Sequence, residues 1–163
     1  MTILEAAVDG LGRNKAFLAG TLGDFSQADM LARPHPKANH VTWQIGHLIG
    51  AEARMVNAAA PGAVPLPPAS FMDKFKKETA SIDDPAFFPK KEELLEAFNK
   101  GRDATIAWAS TLKESDMSHP LPEPVSRFAP TTGHLLVSIP VHVAMHIGQF
   151  QVLRRVLGKP VMF

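Results

Sequence analysis

The sequence predicts an all-α protein, and three observations support this fold class. Four segments of the 163-residue chain repeat their apolar residues at the helical period, and none shows the alternation typical of a strand. Each segment has roughly 20 residues, enough to cross a small domain as a helix. Long proline-bearing stretches separate the second segment from the third and the third from the fourth. We therefore expect a four-helix bundle with long Pro-rich connections, formed by residues 1–163 as a single domain.

The first two predicted helices lie in the first 62 residues. The first runs from Ile3 to Phe25 and contains several glycines, so packing rather than intrinsic propensity must stabilise it. The segment 26–29, Ser-Gln-Ala-Asp, predicts a capped short turn. The second helix is expected from Val41 to Ala60, with Asn39 as its N-cap and Pro61-Gly62 as its end.

The other two long helices follow the first Pro-rich passage. A short lysine-rich helix is expected around Phe71 to Lys77, and the third long helix from Lys90 to Glu114. The fourth begins at Thr131 or Thr132 as N-cap and ends near Leu157. Pro140 lies inside this last helix, where it predicts a kink.

Composition limits the classes of partner. Seventeen basic and sixteen acidic residues give a formal charge of +1, so we expect no nucleic-acid partner. The apolar run near the end of the chain is short and holds two histidines and a proline, so we expect no membrane partner. The chain has no cysteine, which excludes disulfides, thiolate metal sites and a cysteine nucleophile. Nothing here requires an oxidising compartment, and we expect a cytoplasmic protein.

Three histidines form the most informative pattern. His142 and His146 are four residues apart on the fourth helix, which places both imidazoles on one face. His47 lies in an apolar run of the second helix, where an unpartnered histidine would be costly to bury. Facing helices of a bundle commonly assemble metal sites. Together these histidines would give an ion three neutral nitrogens and leave one coordination position open.

The residues of these segments exclude two known types of metal site. A zincin would place Glu after the first histidine of the pair, where this chain has Val143, and a di-iron carboxylate bundle needs Glu-x-x-His twice. Three further residues are candidates for supporting the ion or touching substrate. These are Gln149, on the same helix face as His142 and His146, Arg54, on the same face as His47, and His40, which lies seven residues before His47.

The same segments resemble the DinB-like proteins. The resemblance rests on His142-Val-Ala-Met-His146-Ile-Gly-Gln149, on Leu153-Arg-Arg155-Val-Leu-Gly158-Lys-Pro160, and on Trp43-Gln-Ile-Gly-His47-Leu. It implies a four-helix bundle that binds a divalent metal through a histidine triad, which maps onto His47, His142 and His146. Many family members carry a second histidine just before the last one, where this chain has Met145. Characterised relatives include S-transferases that use thiol cofactors and a mycothiol-dependent maleylpyruvate isomerase.

Three functions remain open at this point. The first is an enzyme whose divalent metal, with Zn or Ni expected first, activates a low-molecular-weight thiol as cosubstrate for a small-molecule substrate. The second is a non-catalytic metal-binding bundle, and the third is a metal-free interaction module. Helix faces rich in alanine and glycine, including Gly46 and Gly50, would also allow a homodimer.

Overall fold

The computed structural model describes residues 1–162, and its regular elements over that range are helical. The α-helices are α1 (Ile3–Leu22), α2 (Val41–Ala59), α3 (Ala69–Met72), α4 (Lys91–Ala109) and α5 (Thr132–Val156). Short 3₁₀ turns occur at Asp29–Leu31, Asp73–Phe75, Lys77–Thr79, Glu114–Ser118 and Val125–Arg127. One isolated bridge, between Pro120 and Thr131, is the only strand-like pairing within these 162 residues. The prediction of an all-α bundle of four long helices is confirmed.

Three of the predicted helices have other bounds in the structure, and local hydrogen bonds explain one of the differences. Helix α1 ends at Leu22 rather than Phe25. Helix α4 ends at Ala109 rather than Glu114. The hydroxyls of Ser110 and Thr111 donate to the carbonyls of Ile106 and Trp108, which gives the backbone an alternative to another helical turn. The helix expected at Phe71 to Lys77 is instead the single turn α3 followed by the 3₁₀ turn Asp73–Phe75.

The start of α2 differs from the prediction in a way that concerns a candidate site residue. The N-cap is His40 rather than Asn39: the Nδ1 of His40 accepts a hydrogen bond from the backbone N–H of Trp43 at 3.0 Å. The other ring nitrogen, Nε2, donates to the carbonyl of Ile82 at 3.0 Å. Both bonds need the neutral ring, so the buried His40 joins the start of α2 to the loop before α4.

The four long helices form a square in cross-section. Helix α1 packs against α4 and α5, and helix α2 packs against the same two helices. The diagonal pairs are therefore α1 with α2 and α4 with α5. In each pair the two helices are also consecutive long helices in the sequence. A connection between diagonal helices must cross the end of the bundle. This explains the long stretch from residue 110 to residue 131 between α4 and α5.

Two glycines let the segment after α2 lie flat against that helix. A Cβ atom at Gly46 would collide with the ring of Phe75, and one at Gly50 would collide with the side chain of Met72. Both partners belong to the segment of α3 and the following 3₁₀ turn. Gly46 and Gly50 therefore serve packing within the chain.

A buried polar layer divides the apolar core. Arg102 is fully buried, and its Nε and Nη2 atoms donate to the two carboxylate oxygens of Glu52, each at 2.8 Å. Its Nη1 donates to the side-chain oxygen of Asn14 at 3.1 Å, and Asn14 Nδ2 donates to the carbonyl of Pro140 at 3.2 Å. Helix α5 continues through Pro140. The layer thus joins all four long helices, with one apolar cluster on each side of it.

Helix α5 has the predicted bounds, but it is more apolar than the sequence analysis allowed. By length and composition it could cross a membrane, and it is the only helix among residues 1–162 that could. It packs against α1 and α2 along the bundle, and its inner face is fully buried at Leu135, Leu136 and Phe150. One face of α5 therefore belongs to the core of the bundle.

The buried His40 predicts a loss of stability in acid. Burial lowers the pKa of His40, the charge of Arg33 lowers it further, and the Ile82 carbonyl and Asp83 oppose the shift. A folded pKa below the unfolded value of about 6.5 means that His40 contributes stability above that pH, and the contribution is lost as pH falls toward the folded pKa. We expect the metal-free His40→Asn variant, which keeps a capping side chain, to lose less stability than wild type between about pH 7.5 and about pH 5.

Urea unfolding at both pH values measures this difference. The control is His119→Asn, because His119 is exposed in a loop. If His40→Asn and wild type lose equal stability over this interval, His40 does not contribute to the pH dependence.

Candidate metal centre

Three imidazoles from two adjacent helices converge at the surface between α2 and α5. His47 comes from the middle of α2, and His142 and His146 come from successive turns of α5. Their ligand nitrogens all lie within 4.8 Å of one another, and each side chain is half-buried. The neighbouring residues Leu48, Val143 and Ile147 are buried in the core, which fixes the rotation of both helices and places the histidines at the edge.

The distance between the two α5 imidazoles suits a common metal ion. The Nε2 atoms of His142 and His146 are 3.3 Å apart. Two nitrogens bound tetrahedrally to one ion at about 2.0–2.1 Å would be separated by about 3.3–3.4 Å. His47 needs only a small side-chain adjustment to complete the set, because its nitrogen is already within 4.8 Å of the others.

Gln44 selects which nitrogen of His146 is free to bind an ion. The Nε2 of Gln44 donates to the carbonyl of Asn39 at 2.6 Å, so its Oε1 must be the end that faces His146. That oxygen lies 2.6 Å from His146 Nδ1, which is therefore the protonated nitrogen. The lone pair is left on Nε2, directed toward His142 and His47. Such a partner commonly fixes the tautomer and the ring orientation of a metal-binding histidine.

Trp43 holds His47 from the other side. The two rings are stacked with centroids 5.4 Å apart and planes 5° from parallel. The indole N–H of Trp43 donates to the carbonyl of Lys76 at 3.1 Å, so the loop after α3 fixes the position of the indole. His47 is thus held by its own helix and by a ring anchored to a different segment.

The histidines of the triad are held in their neutral form. Burial lowers the pKa of all three rings, most strongly for His146, whose pKa falls to about 4. Among these rings, His142 lowers the pKa of the other two, Arg54 acts in the same direction on His47, and Glu52 opposes the shift on His142. Neutral imidazoles at neutral pH present the lone pairs that metal binding needs. The donor set therefore fits a divalent ion.

No carboxylate joins the triad in the described part of the chain. Glu52 is the nearest acid on α2, but both of its oxygens accept hydrogen bonds from Arg102, and one also accepts from the Thr105 hydroxyl at 2.8 Å. An ion at the triad would therefore keep its full charge, and a fourth position would remain for a ligand from solution.

The three supporting candidates have different surroundings in the structure, and none of them is placed as a further metal ligand. His40 is too occupied to be a ligand, since both of its nitrogens are bonded elsewhere. Arg54 is exposed, and its charge reaches His47. Gln149 is exposed on α5, three residues after His146, and its side chain makes no hydrogen bond to another of residues 1–162. The sequence analysis missed two supporting residues, Gln44 and Trp43.

Gln44 could have been noticed as a polar residue within an apolar run, one turn before His47.

A cavity of about 420 Å³ opens beside the triad. His47 and His142 form part of its wall, together with residues of α2, of α5 and of the loop before α5. The other residues that line it are Ala51, Met55, Phe128, Val137, Ser138, Val141 and Met145. Its volume lies in the range of roughly 300–1,000 Å³ found for small-molecule sites.

We expect Gln44→Met to weaken metal binding. The substitution removes the acceptor of the His146 Nδ1–H, so the ring can adopt either tautomer and is no longer held in place. Loss of such a partner typically costs 10–100-fold in metal affinity, so we expect the Kd to rise by about that factor. A competition titration with a coloured chelator measures the Kd, and ¹⁵N NMR of the metal-free protein reports the tautomer of His146.

Gln149→Met is the matched control for this experiment. It removes the same side chain at an exposed position three residues from His146. It should leave both the Kd and the tautomer unchanged. A Gln44→Met protein that keeps the wild-type tautomer and the wild-type Kd would show that Gln44 does not orient His146.

Comparisons with known families and solved structures support the fold. The model of the DinB superfamily matches residues 11–150. A conserved protein from Enterococcus faecalis has a similar solved structure, with a TM-score of 0.73 and 20% identity over 98% of this chain and 99% of that one. YfiT from Bacillus subtilis, described as "a probable metal-dependent hydrolase with an unusual four-helix bundle topology", has a TM-score of 0.69 and 14% identity over 96% and 89% of the two chains. No curated protein matches the sequence.

Proposed function

The chain belongs to the DinB superfamily, and we propose that it is a metal-dependent enzyme in which His47, His142 and His146 hold a divalent ion that activates a small thiol for S-transfer or isomerisation. One observation carries this proposal: three neutral imidazoles converge beside a cavity large enough for a small molecule. A metal site with a purely structural role, linking two helices, would not need an adjoining cavity.

The chain's own residues supply binding and orientation. Gln44 and Trp43 hold two of the three imidazoles in place, and the cavity leaves room for a small molecule beside His47 and His142. A divalent ion with three neutral ligands would lower the pKa of a thiol that reaches the open position, which otherwise is mostly protonated at neutral pH. The chain has no cysteine, so the sulfur nucleophile must come from another molecule.

The reaction in the transfer case is a substitution at carbon. The sulfur forms a new S–C bond, the bond from that carbon to its leaving group breaks, and the leaving group departs with the bonding electron pair. The proton of the thiol passes to water, because no carboxylate of the described chain lies at the triad to accept it.

Turnover with a set of thiols tests the proposal. Protein purified without a His-tag is loaded with Zn or Ni and given chlorodinitrobenzene or monochlorobimane, with glutathione, bacillithiol, mycothiol or cysteine in turn. We expect metal-dependent acceleration with one of these thiols. The activity should be lost in His47→Ala and kept in His119→Ala, which removes an exposed loop histidine.

Two other outcomes would replace the proposal. The Bacillus subtilis neighbour is described as "a probable metal-dependent hydrolase". Hydrolysis of a nitrophenyl ester without any added thiol would assign water the role of nucleophile in the present protein. A fully metallated protein that accelerates neither reaction would be a non-catalytic metal-binding bundle. The homodimer and the cytoplasmic location stay predictions.

A further inference from the structure

The cavity beside the triad has almost no polar surface on its walls. Apart from His47 and His142, the only polar side chain among the described residues that line it is Ser138. No charged side chain from residues 1–162 lines it. The rest of the wall consists of aliphatic, thioether and aromatic groups. We propose, building on the function proposed above, that this cavity binds the electrophilic substrate and selects a neutral, apolar molecule such as an aryl or benzyl halide.

Four of the wall residues are unusually exposed for their type. Phe128 is 52% exposed, Val137 50%, Val141 53% and Met145 65%. Val137, Val141 and Met145 follow each other at four-residue intervals on α5, so they form one continuous edge of the cavity. Apolar side chains left in contact with water around a concave site are typical of a surface that a ligand covers.

The position of the two histidines gives a bound molecule a direction. His47 and His142 bring the donor nitrogens to the cavity wall, while Met55 and Phe128 are wall residues that carry no donor nitrogen. A molecule bound in the cavity therefore contacts His47 and His142 on one part of its surface and apolar side chains on the rest. Ser138, one turn before His142, offers the only hydroxyl in the wall to a polar substituent of that molecule.

The composition of the wall also indicates which of the two reactants enters the cavity. Glutathione and bacillithiol carry carboxylates, and burying a charge without a partner is costly. No described residue that lines the cavity carries a positive charge to pair with such a group, and the one coordination position that the ion would leave open is taken by the sulfur. The body of the thiol must therefore stay in solvent, with only its sulfur reaching the triad. In the step that follows, the S–C bond forms, the carbon–halogen bond breaks, halide leaves with the electron pair, and the thiol proton passes to water.

A pair of matched valines on α5 provides the test. Val137 lines the cavity and is 50% exposed, whereas Val152 is 52% exposed on the same helix and does not line it. The full-length, metal-free Val137→Asp and Val152→Asp proteins are titrated with the neutral fluorophore N-phenyl-1-naphthylamine. We expect one site per chain in wild type, a Kd raised by about tenfold or more in Val137→Asp, and little change in Val152→Asp.

Competition and turnover complete the experiment. Benzyl chloride should displace the fluorophore, and 4-(chloromethyl)benzoate, which has the same reacting carbon and one added carboxylate, should not. In the metal-loaded protein with the active thiol, kcat/KM should favour benzyl chloride by about tenfold or more, and Val137→Asp should remove most of that activity.

Each failure has a distinct meaning. The inference is overturned if the fluorophore does not bind, if both valine variants weaken it equally, or if the carboxylate substrate reacts as fast as the neutral one. It is also overturned if sedimentation shows a dimer that both variants dissociate, because the exposed edge would then be a contact between two copies. Localised fluorophore binding without turnover by any thiol would instead contradict the proposed function and leave the cavity's selectivity intact.

Discussion

His142→Ala and His146→Ala are each expected to abolish stoichiometric metal binding. The wild-type protein should hold one divalent ion per chain after dialysis, measured by elemental analysis of protein without a His-tag. Each substitution leaves two nitrogens, and no carboxylate of residues 1–162 is close enough to replace the third. An ion with three protein ligands then becomes one with two, and its exchange with buffer should empty the site.

Loss of fold must be separated from loss of ligand in this experiment. Both histidines are half-buried at the edge of the bundle, so far-ultraviolet circular dichroism and the metal-free melting temperature should change little. His119→Ala, in an exposed loop, should keep the full complement. Full metal content in both triad variants would place the ion elsewhere and would remove the basis of the proposed enzyme.

The second large effect is expected from the buried layer that contains Arg102. Arg102→Met removes a fully buried guanidinium and leaves the Glu52 carboxylate, with 5% of the residue exposed, beside the Thr105 hydroxyl alone. Breaking a buried ion pair from one side typically costs about 3–5 kcal/mol, because the remaining charge is uncompensated. We expect a decrease of about that size in the free energy of unfolding, measured by urea titration of the metal-free protein at neutral pH.

Two further variants show whether the cost comes from the unpaired charge. Glu52→Leu combined with Arg102→Met removes both charges, and it should recover a large part of the lost stability, since apolar replacements of buried pairs are often tolerated. Arg13→Met removes an arginine that is 80% exposed and paired with Asp9, so we expect less than about 1 kcal/mol. A double variant as unstable as Arg102→Met would indicate that the layer stabilises the bundle through its hydrogen bonds to Asn14 and Leu11.

The long helices and the triad could be predicted from the sequence because they depend on regular spacing. Apolar residues at the helical period placed the four helices, and the four-residue interval placed His142 and His146 on one face. The prediction that His47 lies near them needed an additional assumption, that the second and fourth long helices are neighbours. The structure satisfies this assumption, since α2 packs directly against α5.

The parts that could not be predicted depend on contacts between distant segments. The partner of Glu52 is Arg102, 50 residues later, and nothing local identifies it. The hydrogen bond from Gln44 to His146 and the anchoring of Trp43 by Lys76 are of the same kind. The end of α4 is a different case, because Ser110 and Thr111 are adjacent to the helix and their competition with the backbone could have been foreseen.

The separation of the triad along the chain has a consequence for how the protein unfolds. Gln44, one turn before His47, and His146, the last of the three ligands, are 102 positions apart. An ion held by both helices would close a loop of that order. In the chain-entropy account, a covalent cross-link closing a loop of about 100 residues restricts the unfolded ensemble by up to about 4.7 kcal/mol. In this protein, which has no cysteine, the ion would act as a removable cross-link that opposes the separation of α2 from α5.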